Sequence, residues 1–375
     1  MTTFTHTSRQ RAPRSAFTLI EMTIVMAIIA ILAAMAMSVY ATAASQAKEM
    51  RTRSIIAKID QLIGEKYESY RTRQVPIKIP FGRYNNGQPY MQPYGEPFAE
   101  TANDTNLTNG FRDNSEGFSD QGYNGASGNN QYDLGAAELR LLALRELQRL
   151  ELPNQIADVG IDPLVMPFGP PGIVGNRIVA RPAISKQYLR RAQQITGPTL
   201  AGWTGQFEGA ECLYLILASS RDGEKSALDW FSPSEIGDVD NDGMNEILDA
   251  FGQPIEFVRW PAGYRADVAP FPVTPQRRND SGLGTDPTDY PDISDPMKVD
   301  GRVRSNVFGT FALKPLIYSA GPDKQYRIGT PAIGSLNGAT FLADPYHFDA
   351  AGLFAGSPNG TGWEDNITNH DLEAR

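Results

Sequence analysis

The sequence predicts an α+β protein whose first element is one long helix, and three observations support this. Residues 17–40 form an apolar run that carries a single charge, Glu21. Between residues 50 and 70, apolar side chains recur at three- and four-residue steps, which is the period of an amphipathic helix. Residues 76–375 then mix helix patterns, short strand patterns and loops, so we expect a globular domain with helical and loop insertions.

The bulk composition suits a globular body attached to this helix. Of the 375 residues, 41% are hydrophobic and 21% are charged, which excludes a polytopic membrane protein. The formal net charge of −9 argues against a nucleic-acid partner, because phosphate contact needs a basic surface. Cys212 is the only cysteine, so the chain forms no internal disulfide and we expect this residue in the core.

The first 40 residues read as a basic leader and a membrane-spanning helix. Residues 1–16 contain Arg9, Arg11 and Arg14 and no acid. A helix over residues 17–40 covers about 36 Å, which is enough to cross a hydrocarbon core of about 30 Å. The positive-inside bias then predicts a cytoplasmic N-terminus, a single pass through the membrane and a body on its other side.

Three kinds of N-terminal segment fit this pattern differently. A cleaved signal peptide has an apolar region of about 7–15 residues, which is shorter than this run. A plain signal anchor explains the length but not Glu21, because an acid inside a bilayer helix costs about 2.5–3.5 kcal/mol. In the third kind of segment, a prepilin-type signal, the acid has a function.

The segment SAFTLIE at residues 15–21 resembles the cleavage and methylation motif of type IV pilins and type II secretion pseudopilins. The resemblance implies that a prepilin peptidase cuts between Ala16 and Phe17, where the family usually has Gly before the cut, and then methylates Phe17. It also implies a bacterial inner-membrane helix at 17–40 that assembles with other subunits on a membrane platform. The helix would continue over 41–75 and lie against a small antiparallel sheet in a periplasmic or extracellular domain.

Glu21 has a physical role in this reading. Cleavage leaves a positive α-amine on Phe17 at the end of an apolar helix. Glu21 of a neighbouring subunit neutralises this amine, and two charges that are costly alone become tolerable as a pair. We therefore assign Phe17 and Glu21 to assembly.

The body combines further helix and strand patterns with two long loops. Helix patterns cover residues 136–150, 183–195 and 208–219, with Asp133 as a candidate cap for the first. Strand patterns cover 254–260, 311–319 and 339–342. Residues 81–132 and 262–300 are rich in Gly, Asn, Pro and Asp, so we expect loop insertions there.

An acidic segment, DVDNDGMNEILD at residues 238–249, has the spacing of a calcium-binding loop. Carboxylates two residues apart on a tightly turning loop converge on one point, and Gly243 occupies the position of the sharp turn. The alternative is a solvated acidic turn, but five acids in twelve positions favour a structural Ca²⁺ site. The predicted ligands are Asp238, Asp240, Asp242, the carbonyl of Met244, Glu246 and Asp249. The spacing resembles the loops of dockerins and departs from a full EF-hand, which ends in Glu.

Two later segments resemble those of major pseudopilins. DAFGQP at 249–254 is similar to their D-x-W-G-x-P segment, with Phe251 in place of Trp, and SAGPD at 319–323 is similar to their S-x-G-x-D turn. No catalytic motif occurs, so an enzyme is the least supported of three functions. A filament subunit, a pseudopilin or minor pilin of a protein-transport or pilus-like machine, leads. A membrane-anchored, calcium-stabilised binding protein that does not polymerise is the alternative.

Overall fold

The computed structural model describes residues 18–75, 129–164, 179–223, 225–264, 292–295, 300, 313–329, 344–346, 354–363 and 365–372. The chain divides into two compact units, Met1–Lys48 and Glu49–Arg375. Long helices together with small antiparallel sheets confirm the predicted α+β class and agree with a pilin-like fold. The predicted loops lie mostly outside the described residues.

Helix α1, Leu19–Ser69, is 51 residues long and joins the two predicted helical segments without a break, but it ends at Ser69 and not at residue 75 as predicted. In the first unit its large apolar side chains are exposed, from Leu19 at 84% to Tyr40 at 76%. By length and composition this helix could cross a membrane. An exposed apolar surface of this length needs a non-aqueous or protein environment, because apolar area left in water is costly.

In the second unit, the amphipathic half of α1 buries the face that the sequence predicts. Ile55, Ile56, Ile59 and Ile63 are at most 2% exposed, and the tyrosines at 67 and 70 are buried with them. The charged side of the same turns, including Glu65 and Glu68, faces solvent. Met50 was expected on the apolar face and is instead 71% exposed. The buried stripe therefore begins one turn later than predicted.

Of the five other helices that are described, three correspond to predicted helix patterns, and the two short ones were not predicted. The five are α2 Asn129–Glu151, α3 Ile156–Gly160, α4 Ala183–Thr196, α5 Glu208–Ser219 and α6 Asn369–Leu372. The predictions for α4 and α5 are confirmed to within one residue. Helix α2 starts earlier than expected, so residues 129–132 are helical rather than part of the loop, and Asp133 lies inside the helix instead of capping it.

The strands are short and antiparallel. They are β1 Arg221–Asp222, β2 Lys225–Ser226, β3 Ile236–Gly237, β4 Glu246–Ile247, β5 Glu256–Val258, β6 Leu316–Ser319, β7 Ile328–Gly329, β8 Ser357–Pro358 and β9 Ile367–Thr368. The largest sheet has the order β5-β6-β9, with Phe257 opposite Ile317 and Ser319 opposite Ile367. The strand prediction at 254–260 is confirmed over Glu256–Val258, and the prediction at 311–319 is confirmed over its last four residues, Leu316–Ser319. The strand predicted at 339–342 lies outside the described residues.

Helix α5 lies at the centre of the main core and packs against β4, β5 and α4. Its Cys212, Leu213 and Ile216 are at most 1% exposed and belong to the same hydrophobic cluster as the buried isoleucines of α1. Cys212 is thus a buried free thiol, as predicted. Because α5 packs against these elements, a contact that holds its N-terminal turn in place also limits the movement of the core.

A buried ionic network joins α2 to the central sheet. Arg149 forms an ion pair with Glu146 in α2 at 2.7 Å, and Asp158 accepts a hydrogen bond from Arg259 Nη1, also at 2.7 Å. All four side chains are at most 3% exposed. The backbone N–H of Asn154 also donates to Asp158. Arg149 Nη1 lies 3.6 Å from Asp158 Oδ1, so the aspartate compensates buried positive charge from two different segments.

Replacing Asp158 with alanine is expected to lower the free energy of unfolding by about 3–5 kcal/mol, because Arg259 would keep a buried and uncompensated charge. Urea unfolding followed by circular dichroism measures this loss. The control is Asp229→Ala at an exposed 3₁₀ turn, which should cost about 1 kcal/mol or less. Equal losses in the two variants would show that the buried network is not a major source of stability.

Candidate functional site

The first candidate site is the beginning of α1, where Thr18 and Glu21 cap the helix reciprocally. The backbone N–H of Thr18 donates to Glu21 Oε2 at 2.8 Å, and its hydroxyl donates to the same oxygen at 2.9 Å. In return the N–H of Glu21 donates to Thr18 Oγ1 at 3.3 Å. This is a capping box, in which side chains satisfy backbone groups that have no partner within the helix.

The cap leaves the Glu21 carboxylate at the outer end of the exposed apolar surface. Its position follows from helix geometry, since the third residue after the cap points back toward the first turn. The predicted processing residues Ala16 and Phe17 lie outside the described residues. Of the two residues assigned to assembly, Phe17 and Glu21, the structure therefore describes Glu21.

The second candidate site is the acidic loop, which connects β3 to β4. These strands pair antiparallel, with Ile236 opposite Ile247 and Gly237 opposite Glu246. The turn has positive φ at Asn241 (63°) and at Gly243 (96°), a conformation that glycine adopts without strain. Backbone N–H groups bind the aspartates, from Gly243 to Asp238 Oδ2 at 3.0 Å and from Met244 to Asp242 Oδ1 at 2.8 Å.

Three of the predicted ligands form one group, which we call the loop triad: Asp238, Asp240 and Glu246. Their ligand oxygens lie within 4.8 Å of one another. Glu246 is fully buried, and its Oε2 accepts from the N–H of Val239 at 3.1 Å. Its Oε1, together with one oxygen of each aspartate, is shielded from solvent and has no hydrogen-bond partner among the described residues. The triad therefore places three carboxylates close together, and each of them has one shielded oxygen without a hydrogen-bond partner among the described residues.

A second group, the helix triad, adds a residue that the sequence analysis did not consider. It consists of Glu211, Asp240 and Asp242, again with ligand oxygens within 4.8 Å of one another. Glu211 lies in the first turn of α5 and is fully buried. The signal that could have found it is an acid inside the otherwise apolar segment AECLYLIL at 210–217.

The two triads are electrostatically crowded. Burial raises the pKa of Glu246 to about 7, and repulsion from the neighbouring aspartates adds to the increase. Burial likewise raises the pKa of Glu211 to about 9, again with repulsion from nearby carboxylates. Both shifts show that the protein alone solvates these charges poorly.

Asp249, the predicted ligand at loop position 12, is not in either triad. Its Oδ1 accepts from the N–H groups of Phe251 and Gln253, both at 2.8 Å, and its Oδ2 accepts from the Ser319 hydroxyl at 2.6 Å. This bond joins the two segments that resemble major pseudopilins. Asp249 therefore organises the turn before β5 and contacts β6, instead of facing the acidic loop.

The described structure brings together four of the predicted metal-site side chains, those at 238, 240, 242 and 246. Met244 is buried and contributes its N–H to Asp242, and the predicted role of its carbonyl stays a prediction. The metal-binding function of the cluster is likewise a prediction at this point.

Comparison with known proteins gives one match. The family model described as the prokaryotic N-terminal methylation motif matches residues 11–37. No curated protein and no solved structure matches the chain. The matched residues contain the SAFTLIE segment, the Thr18–Glu21 cap and most of the exposed apolar part of α1. The chain therefore carries the prepilin-type N-terminal signal that is the hallmark of type IV pilins and pseudopilins.

Proposed function

We propose that the chain is a structural subunit, a pseudopilin or minor pilin, of a type II secretion or type IV pilus-like filament. The observation that carries this proposal is the methylation motif at residues 11–37, which continues into an apolar helix surface that the protein itself leaves exposed. A processed helix of this kind has two successive environments, the membrane before assembly and the filament core after it.

The orientation of the helix in the membrane follows from the basic residues that precede it. The arginines at 9, 11 and 14 favour a cytoplasmic N-terminus in the inner membrane, which leaves the second unit in the periplasm or on the filament. The partners are then a prepilin peptidase, an assembly platform and other subunits. The role is structural, not enzymatic.

We also propose that the acidic loop binds a structural Ca²⁺ ion. Ca²⁺ takes six to eight oxygen ligands at about 2.3–2.6 Å, and oxygens on opposite sides of such an ion are about 5 Å apart. The ligand oxygens of the loop triad lie within 4.8 Å of one another, so they are close enough together to surround one such ion. The shielded Oε1 of fully buried Glu246 supports the proposal most strongly, because a buried carboxylate oxygen without a donor is costly unless a cation compensates it.

Cysteine cross-linking of the N-terminal helix tests the filament proposal. Single cysteines are introduced at exposed α1 positions such as Met22, Met26 and Ile29, and the chain is co-expressed with a peptidase and an assembly platform. Copper-phenanthroline oxidation of co-expressed pairs of these variants is expected to give covalent dimers, because each chain carries one reactive cysteine. The wild type is the matched control, because its Cys212 is buried. Processed chains that remain monomeric at every position would favour the tethered binding protein instead.

A further inference from the structure

Glu211 is an acid placed in the centre of the core, and hydrogen bonding satisfies only half of its carboxylate. It is fully buried, and Trp203 Nε1 donates to its Oε2 at 2.5 Å. Its Oε1 has no hydrogen-bond partner among the residues that the structure describes. A buried carboxylate normally carries more compensation than one neutral donor.

The carboxylate of Glu211 lies near the acidic loop, and no ion pair joins it to a basic side chain among the described residues. Its ligand oxygen is within 4.8 Å of those of Asp240 and Asp242. The segment before α5 contacts the same two aspartates, since the N–H of Thr204 donates to Asp242 Oδ2 at 2.7 Å and its hydroxyl donates to Asp240. The neutral donors of Thr204 therefore hold the acidic loop near the start of α5. At the same contact, the carboxylates of Glu211, Asp240 and Asp242 lie close together.

We propose that Glu211 is a metal ligand, so that the cation site spans the acidic loop and helix α5 instead of belonging to the loop alone. This inference rests on the proposed Ca²⁺ site and extends it by one residue from a distant part of the chain. A divalent cation at the helix triad compensates the shielded Oε1 of Glu211. Hard oxygen ligands that are mostly carboxylates select Ca²⁺ over softer metals.

The consequence is that cation binding fixes the core as well as the loop. Helix α5 packs against β4, which directly follows the loop, and against β5 of the three-stranded sheet. An ion held by Glu211 and Asp240 joins α5 to the loop by two charged ligands. Removing it should therefore loosen the N-terminal turn of α5 together with the β3–β4 connection.

Calcium titration of the full chain in detergent, with Glu211→Gln as the variant, tests this inference. Isothermal calorimetry with CaCl₂ is expected to show at least ~tenfold weaker binding in the variant, since affinity depends on the number of charged ligands. The matched control is Glu208→Gln on the same helix, because Glu208 accepts from the N–H of Ile156 and belongs to neither triad. It should bind Ca²⁺ as the wild type does.

Two further measurements keep the test decisive. Glu211→Gln should gain less thermal stability from added Ca²⁺ than the wild type, because it offers the ion one charged ligand fewer. Glu211→Asp keeps the charge but withdraws the oxygens, so it should also bind more weakly. If Glu211 were neutral and only donated a hydrogen bond to an aspartate, glutamine could take its place. Unchanged Ca²⁺ affinity in Glu211→Gln would therefore overturn the inference.

The outcomes separate this inference from the site on which it rests. If Asp238→Asn weakens Ca²⁺ binding and Glu211→Gln does not, the loop site stands and the role of Glu211 is refuted. If the wild type binds no Ca²⁺ at all, both the proposed site and its extension are refuted. Weaker binding in both variants, with normal binding in Glu208→Gln, supports the extended site.

Discussion

Replacing Glu21 with alanine is expected to leave leader cleavage largely intact and to remove most incorporation of the chain into filaments. In the proposed filament, cleavage would give Phe17 a positive α-amine at the end of an apolar helix, and without Glu21 of a neighbouring subunit this charge would enter the filament core alone. An uncompensated buried charge costs roughly 3–5 kcal/mol, which corresponds to a loss of incorporation of about 100-fold or more. Quantitative immunoblotting of sheared filaments against total processed protein measures the effect.

Glu21→Gln is the control that separates charge from helix capping. Glutamine at this position can still receive the Thr18 N–H in a capping box, but it carries no charge. We expect Glu21→Gln to assemble as poorly as Glu21→Ala, and Thr18→Ala, which weakens the cap by about 1 kcal/mol, to assemble nearly normally. Normal filaments from Glu21→Gln would show that Glu21 serves the helix end and not subunit pairing.

Replacing Asp240 with asparagine is expected to remove most Ca²⁺ binding, because Asp240 belongs to both triads. The loss of one charged ligand at a shared position should weaken binding by roughly 100-fold. The melting temperature of the full chain in detergent, with CaCl₂ or with EGTA, is the measurement. The wild type should melt at a lower temperature in EGTA, and Asp240→Asn should melt at the same temperature in both.

Asp249→Asn is the matched control for this prediction. It changes an acid of the same segment whose oxygens bind Ser319 and two backbone N–H groups. We expect this variant to lose about 1–3 kcal/mol of stability and to keep its response to Ca²⁺. If the melting temperature of Asp249→Asn also fails to respond to Ca²⁺, then Asp249 contributes to ion binding, and the assignment of the ligands to the two triads is incorrect.

Features that depend on nearby residues could be predicted from the sequence. The buried stripe of α1 follows from spacings of three and four residues, and the buried isoleucines at 55, 56, 59 and 63 confirm it. The convergence of Asp238 and Asp240 follows from a tight turn over a few residues. These are local consequences of backbone geometry.

Features that depend on tertiary packing could not be predicted in this way. Glu211 is 27 residues before Asp238 and reaches the loop only because α5 packs against β4. Asp249 was assigned by analogy to a loop that leads into a helix, but this loop leads into strand β4. An extended chain rises about 3.3 Å per residue, so position 12 is carried away from the turn. The pairing of β6 with β9 joins residues 318 and 368 and has no local signal.

The mass of the mature protein tests the central claim most directly. The full chain is co-expressed with a prepilin peptidase, purified from membranes and analysed by intact-mass and N-terminal peptide spectrometry. We expect the mature protein to lack residues 1–16 and to carry one methyl group on the amine of Phe17, and we expect neither change without the peptidase. A chain that keeps Met1 in the presence of the peptidase, or one that starts beyond residue 40, would contradict this claim.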